Sequence, residues 1–382
     1  VKGKAMTRLP PHSGLPVTRA GLSRRNLLGL IGGTPAALAL TSAFGRQAMA
    51  EEAVSGGALN VFSWPNYFSN GSLADYARKS GVTPNITAYD SNDTLFAKLN
   101  SPAGADFDLV IPSSSWIKQM ADRGLLQEID HSRLNLGSLD PALLNRDYDP
   151  GNKYSIPKDW GVLGVIYDPE VVGSEIKTWQ DFLDAGAKPG VSGRVRLSDS
   201  GWETIGMSLW IHGKDWNKAT EAEIRAAGEE IKAFAKHVKS FSSLDPNQLA
   251  NGAIVLAQTN QGTARAAIAL NPKLKFVVPG PMSELWVDNY AIPAKAPNLD
   301  QVYDFLAYQL EPEVQISETQ YIGFPAALAG LREKLPADTE HVDLIFGGKD
   351  LDFTKLTSFV VDPATIGIYM DVQTEIQAAA GG

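Results

Sequence analysis

The sequence predicts an α/β chain organised on a mostly parallel sheet, and three observations predict it. Short β-prone runs alternate with helical ones through the first hundred residues after position 58. Phe107-Asp108-Leu109-Val110-Ile111 is a largely apolar run, the mark of a strand covered on both faces. The chain has 382 residues, 44% of them hydrophobic and 20% charged, which suffices for two domains with substantial cores.

Taken in order, Leu59–Ser63 reads as a buried strand that runs into a loop opening with Trp64 and carrying Pro65. Ser72–Lys79 has helical features: Ser72 as a cap with Asp75 three residues on, Leu73, Tyr76 and Ala77 on one face, and Gly81 as a stop. Val82–Tyr89 is extended, and Asp93–Leu99 puts Leu95 and Leu99 on one helical face. Phe107–Ile111 then completes strand–helix–strand–helix–strand, which implies a parallel sheet with right-handed crossovers. Ser155–Asp168 is a proline-marked passage into an apolar run, suited to a crossover into a second lobe. Val195–Asp199 is a strand and Thr204–His212 a helix. Thr220–Val238 is the longest helical pattern, with Ile224, Ala227, Ile231, Phe234 and Val238 in one stripe. Ile254–Gln258 is a strand leading to the amide-rich turn Thr259–Gly262. Leu274–Val278 is another strand, Asp300–Leu310 is helical, and Ile322–Pro325 makes a turn. After Leu335 the pattern is less regular, and Ala378–Gly382 reads as a frayed end.

The first fifty residues read as an address. Ser23-Arg24-Arg25-Asn26-Leu27-Leu28 precedes a modestly apolar run to Phe44, then Arg46 and Ala48-Met49-Ala50. This is the order of an export signal, and its paired arginines resemble a twin-arginine signal. Cleavage is expected after Ala50, releasing a periplasmic product. The apolar run is too short and too diluted by Gly and Thr to span a bilayer. Lys2, Lys4, Arg8, Arg19, Arg24, Arg25 and Arg46 fall in this segment with no acidic residue, so the remainder is more acidic than the net charge of −9 for the whole chain. Such a body repels nucleic acid and anionic lipid and attracts cations at long range. The absence of cysteine excludes disulfides, thiolate metal sites, a cysteine nucleophile and a lipidated anchor.

Four stretches carry residues suited to ligand chemistry. The loop after the first strand delivers Trp64, Asn66 and Tyr67 to one place, at the strand end where open α/β sheets bind ligands; ordinary core reads the same way. Ser113, Ser114 and Ser115 follow another strand, as ligand contacts or as caps of the helix beginning near Trp116. Glu203 lies near a helix N-terminus, where the helix dipole alone favours a carboxylate. Trp286 and Asp288 fall on the same side of an extended segment. An indole face beside a carboxylate suits an organic cation, although a structural tryptophan with a solvated aspartate has the same spacing.

The blocks LNVFSWPNYF, TAYDSNDTLFAKL, FDLVIPSSSWIKQM, GLLQEID, YSIPKDWG, WVDNYAIP and IGFP, in that order, resemble the spermidine/putrescine-binding proteins, the periplasmic receptors of polyamine ABC transporters. The resemblance spans roughly Leu59 to Leu335. It implies a two-lobed periplasmic-binding-protein fold of type II, each lobe a mostly parallel sheet flanked by helices, with the ligand cleft between them. The lobes would be residues 51–161 with 286–335, and 162–285 with 336–382. The ligand-binding set it implies is Trp64, Asn66, Tyr67, Ser113, Ser115, Glu203, Gln258, Trp286, Asp288 and Phe324. It also implies a monomer that holds a small amine, uses no cofactor or metal, and delivers its ligand to an inner-membrane permease.

Several positions depart from that pattern. Typical members place an acidic residue where Asn66 stands, another where Ser200 stands, tryptophan where Gln258 stands and tyrosine where Phe324 stands. Fewer anions and one aromatic wall less suit a shorter ligand with one or two amino groups. A zwitterion such as γ-aminobutyrate or an opine is the alternative, with Arg196 or Arg265 as a carboxylate partner. An exported enzyme is the rival of a different class. His12, His131, His212, His237 and His341 are scattered, however, and no H-E-x-x-H, G-x-S-x-G, P-loop or G-x-G-x-x-G occurs.

Overall fold

The computed structural model describes residues 59–242 and 244–381; the export signal expected over residues 1–50 lies outside the described residues. Strand β1 (Leu59–Ser63) is buried except at Asn60 and pairs in parallel with β2 (Pro84–Ala88) and β3 (Leu109–Val110). The helix between β1 and β2 runs Asn70–Ser80, and its cap is Ser69, whose hydroxyl accepts the Ser72 N–H at 3.0 Å. The expected cap at Ser72 is therefore three residues late. The helix ends at Gly81, whose φ of 74° lies in the left-handed region.

Thirteen residues, Ser155–Tyr167, form β4, and every one of them is buried. The remaining strands are β5 (Val195–Arg196), β6 (Val238–Ser240), β7 (Leu256–Asn260), β8 (Lys275–Val277), β9 (Ser283–Ala291) and β10 (Leu356–Thr357). The order is β2-β1-β3-β9-β4-β7-β5-β6, with β8 beside β4 and β10 beside β9. The sheet has two halves that share β4. Ser155–Val162 pairs antiparallel with β9, and Leu163–Tyr167 continues into pairs with β7 and β8. Within each half the pairs β1–β2, β1–β3, β5–β6 and β5–β7 are parallel, as their helical crossovers require.

One apolar cluster runs through both halves, from Leu59, Val61 and Leu109 to Trp179, Trp210 and Ile231. Two further sequence expectations differ from the structure. The long helix covers Glu221–Phe234, and Val238 opens β6 by pairing with Val195. An apolar residue at that spacing continues a helical stripe or starts a strand equally well, and the sheet edge captured it. The C-terminus is not frayed at Ala378, because Ile366–Ala380 is helical and buries Tyr369, Val372 and Ile376. A Cβ at Gly228 would fall 2.1 Å from Val372 Cγ1, so the glycine lets this helix close onto Glu221–Phe234. Among the described residues no helix is long and apolar enough to cross a membrane.

Candidate functional site

Across the antiparallel β4–β9 pair, Gly161 stands opposite Trp286 and Asp159 opposite Asp288. Opposed residues share a face, so one face presents an indole and, two residues on, two carboxylates. The indole packs directly against Gly161; a Cβ there would come within 2.1 Å of Trp286 Cζ2. Phe324 meets Trp286 edge to face, with centroids 4.8 Å apart, and rests on Gly262. The Phe324 turn is tied to β4 by the Trp160 N–H, which donates to the Pro325 carbonyl at 3.1 Å.

Trp286 lines a cavity of about 280 Å³ together with Glu203, Arg196, Ser198, Ser200 and Asn260. Glu203 sits in the first turn of the Gly201–Ile211 helix. Burial raises its carboxyl, and Glu284, buried nearby, is pushed well up by burial and then by Glu203. Two carboxyls so placed cannot both ionise freely, which leaves a shared proton at the cavity wall. Arg196 is buried, with Nε donating to the Ser242 carbonyl at 3.0 Å and Nη1 to the Gln258 carbonyl at 2.6 Å. Its Nη2 stands 3.9 Å from the exposed carboxylate of Asp199.

On the β1–β3 side, the Tyr67 phenol contacts Asp159 Oδ1 at 2.5 Å and also Asp288. Ser113 Oγ donates to Asp288 Oδ1 at 2.6 Å. A phenol has one proton to give, so one of its two carboxylate contacts must be bridged by a carboxyl proton. Asp288 accounts for it: burial and then the charge of Asp159 push its carboxyl up to about 7. Lys158 Nζ pairs with Asp159 Oδ2 at 2.7 Å, with both side chains almost wholly buried.

Of the residues expected at the site, Trp286 and Glu203 line the cavity and Phe324 braces its wall. Tyr67, Ser113 and Asp288 form a hydrogen-bonded network beside it. Asp288, expected as a ligand anchor, is 6% exposed, and the Tyr67 and Ser113 hydroxyls engage it. Gln258, also expected at the site, is likewise held within the fold. It is wholly buried, its Oε1 accepts the Ser198 N–H at 3.0 Å, and its Nε2 donates to the Glu203 carbonyl at 2.8 Å. It positions the Ser198–Glu203 turn from behind. Trp64 packs on Tyr89 at 4.7 Å, with its buried Nε1 lacking a partner among the described residues. Asn66 is exposed with φ 57°, a left-handed conformation asparagine tolerates. Ser115 is buried, and its carbonyl accepts the Val361 N–H. Arg265 packs against Gly323 at the Phe324 turn. Sequence reasoning missed Lys158, Asp159 and Glu284. Two adjacent charges within the apolar run Ile156–Tyr167 were the available signal for the first two.

The model of the family described as bacterial extracellular solute-binding protein matches residues 72–342. Spermidine/putrescine-binding periplasmic protein 1 of Haemophilus influenzae is 30% identical over 335 residues, 86% of this chain and 92% of that protein. The spermidine/putrescine-binding periplasmic protein of Escherichia coli strain K12 is 31% identical over 280 residues, 72% of this chain and 79% of that one. Among solved structures, the spermidine/putrescine ABC transporter substrate-binding protein PotD of Streptococcus pneumoniae superposes with a TM-score of 0.75 at 25% identity, covering 85% of this chain and 99% of that one.

Proposed function

The chain belongs to the bacterial extracellular solute-binding proteins, and from that premise we propose that it captures a short polyamine in the periplasm and hands it to an ABC transporter permease. It acts by reversible binding, with no chemical step. The observation that carries the reading is the cavity lined by both Trp286 and Glu203. An ammonium against an indole face gains cation–π attraction, and a carboxylate in the same cavity adds a charge-assisted hydrogen bond. At about 280 Å³ the space is just under the usual range for small-molecule pockets, which suits a small ligand.

The lobes in this reading are residues 51–161 with 286–335, and 162–285 with 336–382. They close about β4 and β9, the strands that pass between the two halves of the sheet. The signal at residues 1–50, cleaved after Ala50, supplies the route to the periplasm, and the receptor works as a monomer.

One observation favours a second reading. Arg196 lines the same cavity, and its Nη2 has an anionic partner only at 3.9 Å. A zwitterionic amine would place its carboxylate there. Calorimetry with putrescine, spermidine and γ-aminobutyrate tests both. Micromolar or tighter binding of a polyamine supports the first reading, γ-aminobutyrate alone supports the second, and no affinity below millimolar for any of them overturns both.

A further inference from the structure

Strand β4 is buried along its whole length, yet it carries two adjacent charges, Lys158 and Asp159, 4% and 1% exposed. The register against β9 explains how both fit. Pro157 pairs with Asn289 and Asp159 with Asp288, so Lys158 is an extra residue with no partner across the ladder. A bulge of this kind re-aims a side chain, and here it brings two consecutive side chains together. Lys158 Nζ is 2.7 Å from Asp159 Oδ2, 4.3 Å from the centroid of the Tyr67 ring and 5.0 Å from that of Phe68.

One carboxylate and two aromatic faces are what an organic ammonium requires of a binding seat. The seat and the ligand cavity share no lining residue, but they are joined by contacts on either side of Trp286, which lines the cavity. Tyr67 links Asp159 to Asp288, and Phe324 lines both the small water-sized space beside Lys158 and the edge of Trp286. Glu318, the other carboxylate at that space, is already engaged by the Ser69 N–H and the Ser72 hydroxyl. A buried ion pair is seldom needed for stability, since apolar residues of the same volume usually serve as well.

We propose that Lys158 is a specificity-determining residue: its ammonium is an internal guest that fills one amine seat, cancels Asp159 and restricts the cleft to a short diamine. The inference rests on the polyamine reading above and narrows it. With the seat filled, Asp159 is neutralised by Lys158, and Asp288, held by the Tyr67 and Ser113 hydroxyls, is the one further carboxyl in contact with the Tyr67 phenol among the described residues. A third ammonium on the ligand meets Lys158 in place of an anion.

The test is calorimetric titration of the full chain and of Lys158→Met with putrescine and with spermidine. The expected result is that the unaltered protein binds putrescine at least about tenfold tighter than spermidine, and that Lys158→Met moves this ratio at least about tenfold toward spermidine. Lys158→Gln, which keeps a hydrogen-bond donor for Asp159, should shift the ratio in the same direction and serves if the methionine variant does not fold. Lys158→Met with Asp159→Asn restores the charge of the wall and should bring the putrescine preference back, a reversal that a purely structural ion pair would not produce. An unchanged ratio in both single variants, or spermidine already preferred by the unaltered protein, overturns this inference alone. Absence of binding to either amine in every form overturns the polyamine reading with it.

Discussion

Asp159 and Asp288 face each other across the β4–β9 pair with the Tyr67 phenol between them. Burial, and then the charge of Asp159, pushes the Asp288 carboxyl up to about 7, well above an ordinary aspartate. A bound ammonium must displace that proton, whereas an alkylammonium itself stays charged throughout this range. Amine affinity should therefore rise with pH through about 7 and fall below it by up to about tenfold per pH unit. Calorimetry in buffers of different ionisation enthalpy should detect proton release at pH 6 and little at pH 8, and Asp288→Asn should remove the difference.

The same group bears on the free protein with the opposite sense. Because its folded pKa is raised, the contribution of Asp288 to stability is fully present below about pH 4 and is lost as pH rises through about 7. Thermal melts of ligand-free protein between pH 5 and 8 should show a decline that Asp288→Asn flattens. A decline of equal size in the variant would assign it to other groups.

Gly161 is where β4 lets the Trp286 ring approach its backbone. Gly161→Ala places a methyl 2.1 Å from Cζ2 and 2.7 Å from Gln261 Nε2, so the indole must move toward the cavity. Overpacking of this kind costs about 1–3 kcal/mol of stability. Amine affinity should drop at least about tenfold, read by tryptophan fluorescence titration, while the far-ultraviolet circular dichroism stays that of the unaltered fold.

Gln258 acts through the turn it holds. Gln258→Leu strips the partner from the buried Ser198 N–H, at about 1–3 kcal/mol, and removes the side-chain bond to the Glu203 carbonyl, which lies in the helix Gly201–Ile211. The melting temperature should fall by several degrees, and affinity should weaken because Glu203 loses its support. A variant that melted lower yet bound the amine with unaltered affinity would show that the turn keeps its position without Gln258.

Arg196 separates the two ligand classes. Arg196→Leu removes a cation from the cavity wall beside Glu203, so a diamine should bind about as tightly or tighter, whereas a carboxylate-bearing amine should lose at least about tenfold. The freed Ser242 and Gln258 carbonyls will lower stability, which a denaturant titration measures independently of ligand.

Much of the fold was legible because its signals are local. Strand β1 ends where the apolar run meets Trp64, and the helix after it stops at a glycine, as chain stiffness and left-handed φ dictate. The crossover at Ser155–Asp168 was readable from its apolar run. Its bulge at Lys158 was not, since register depends on what β9 presents opposite. Val238 shows the same limit: its spacing allowed helix or strand, and the pairing with Val195 made the choice.

The site divides in the same way. Sequence alone determined which residue types were available, an indole two residues from an aspartate and a glutamate at a helix start, because side-chain alternation and helix-end signals are properties of a few neighbouring residues. Only the tertiary structure decided what each one does. Asp288 is engaged by Tyr67 and Ser113, Gln258 is turned behind the wall, and Lys158 and Asp159 are brought into it by residues far away in the chain. The exposure and protonation of a carboxylate depend on what folding packs against it, and no stretch of sequence carries that by itself.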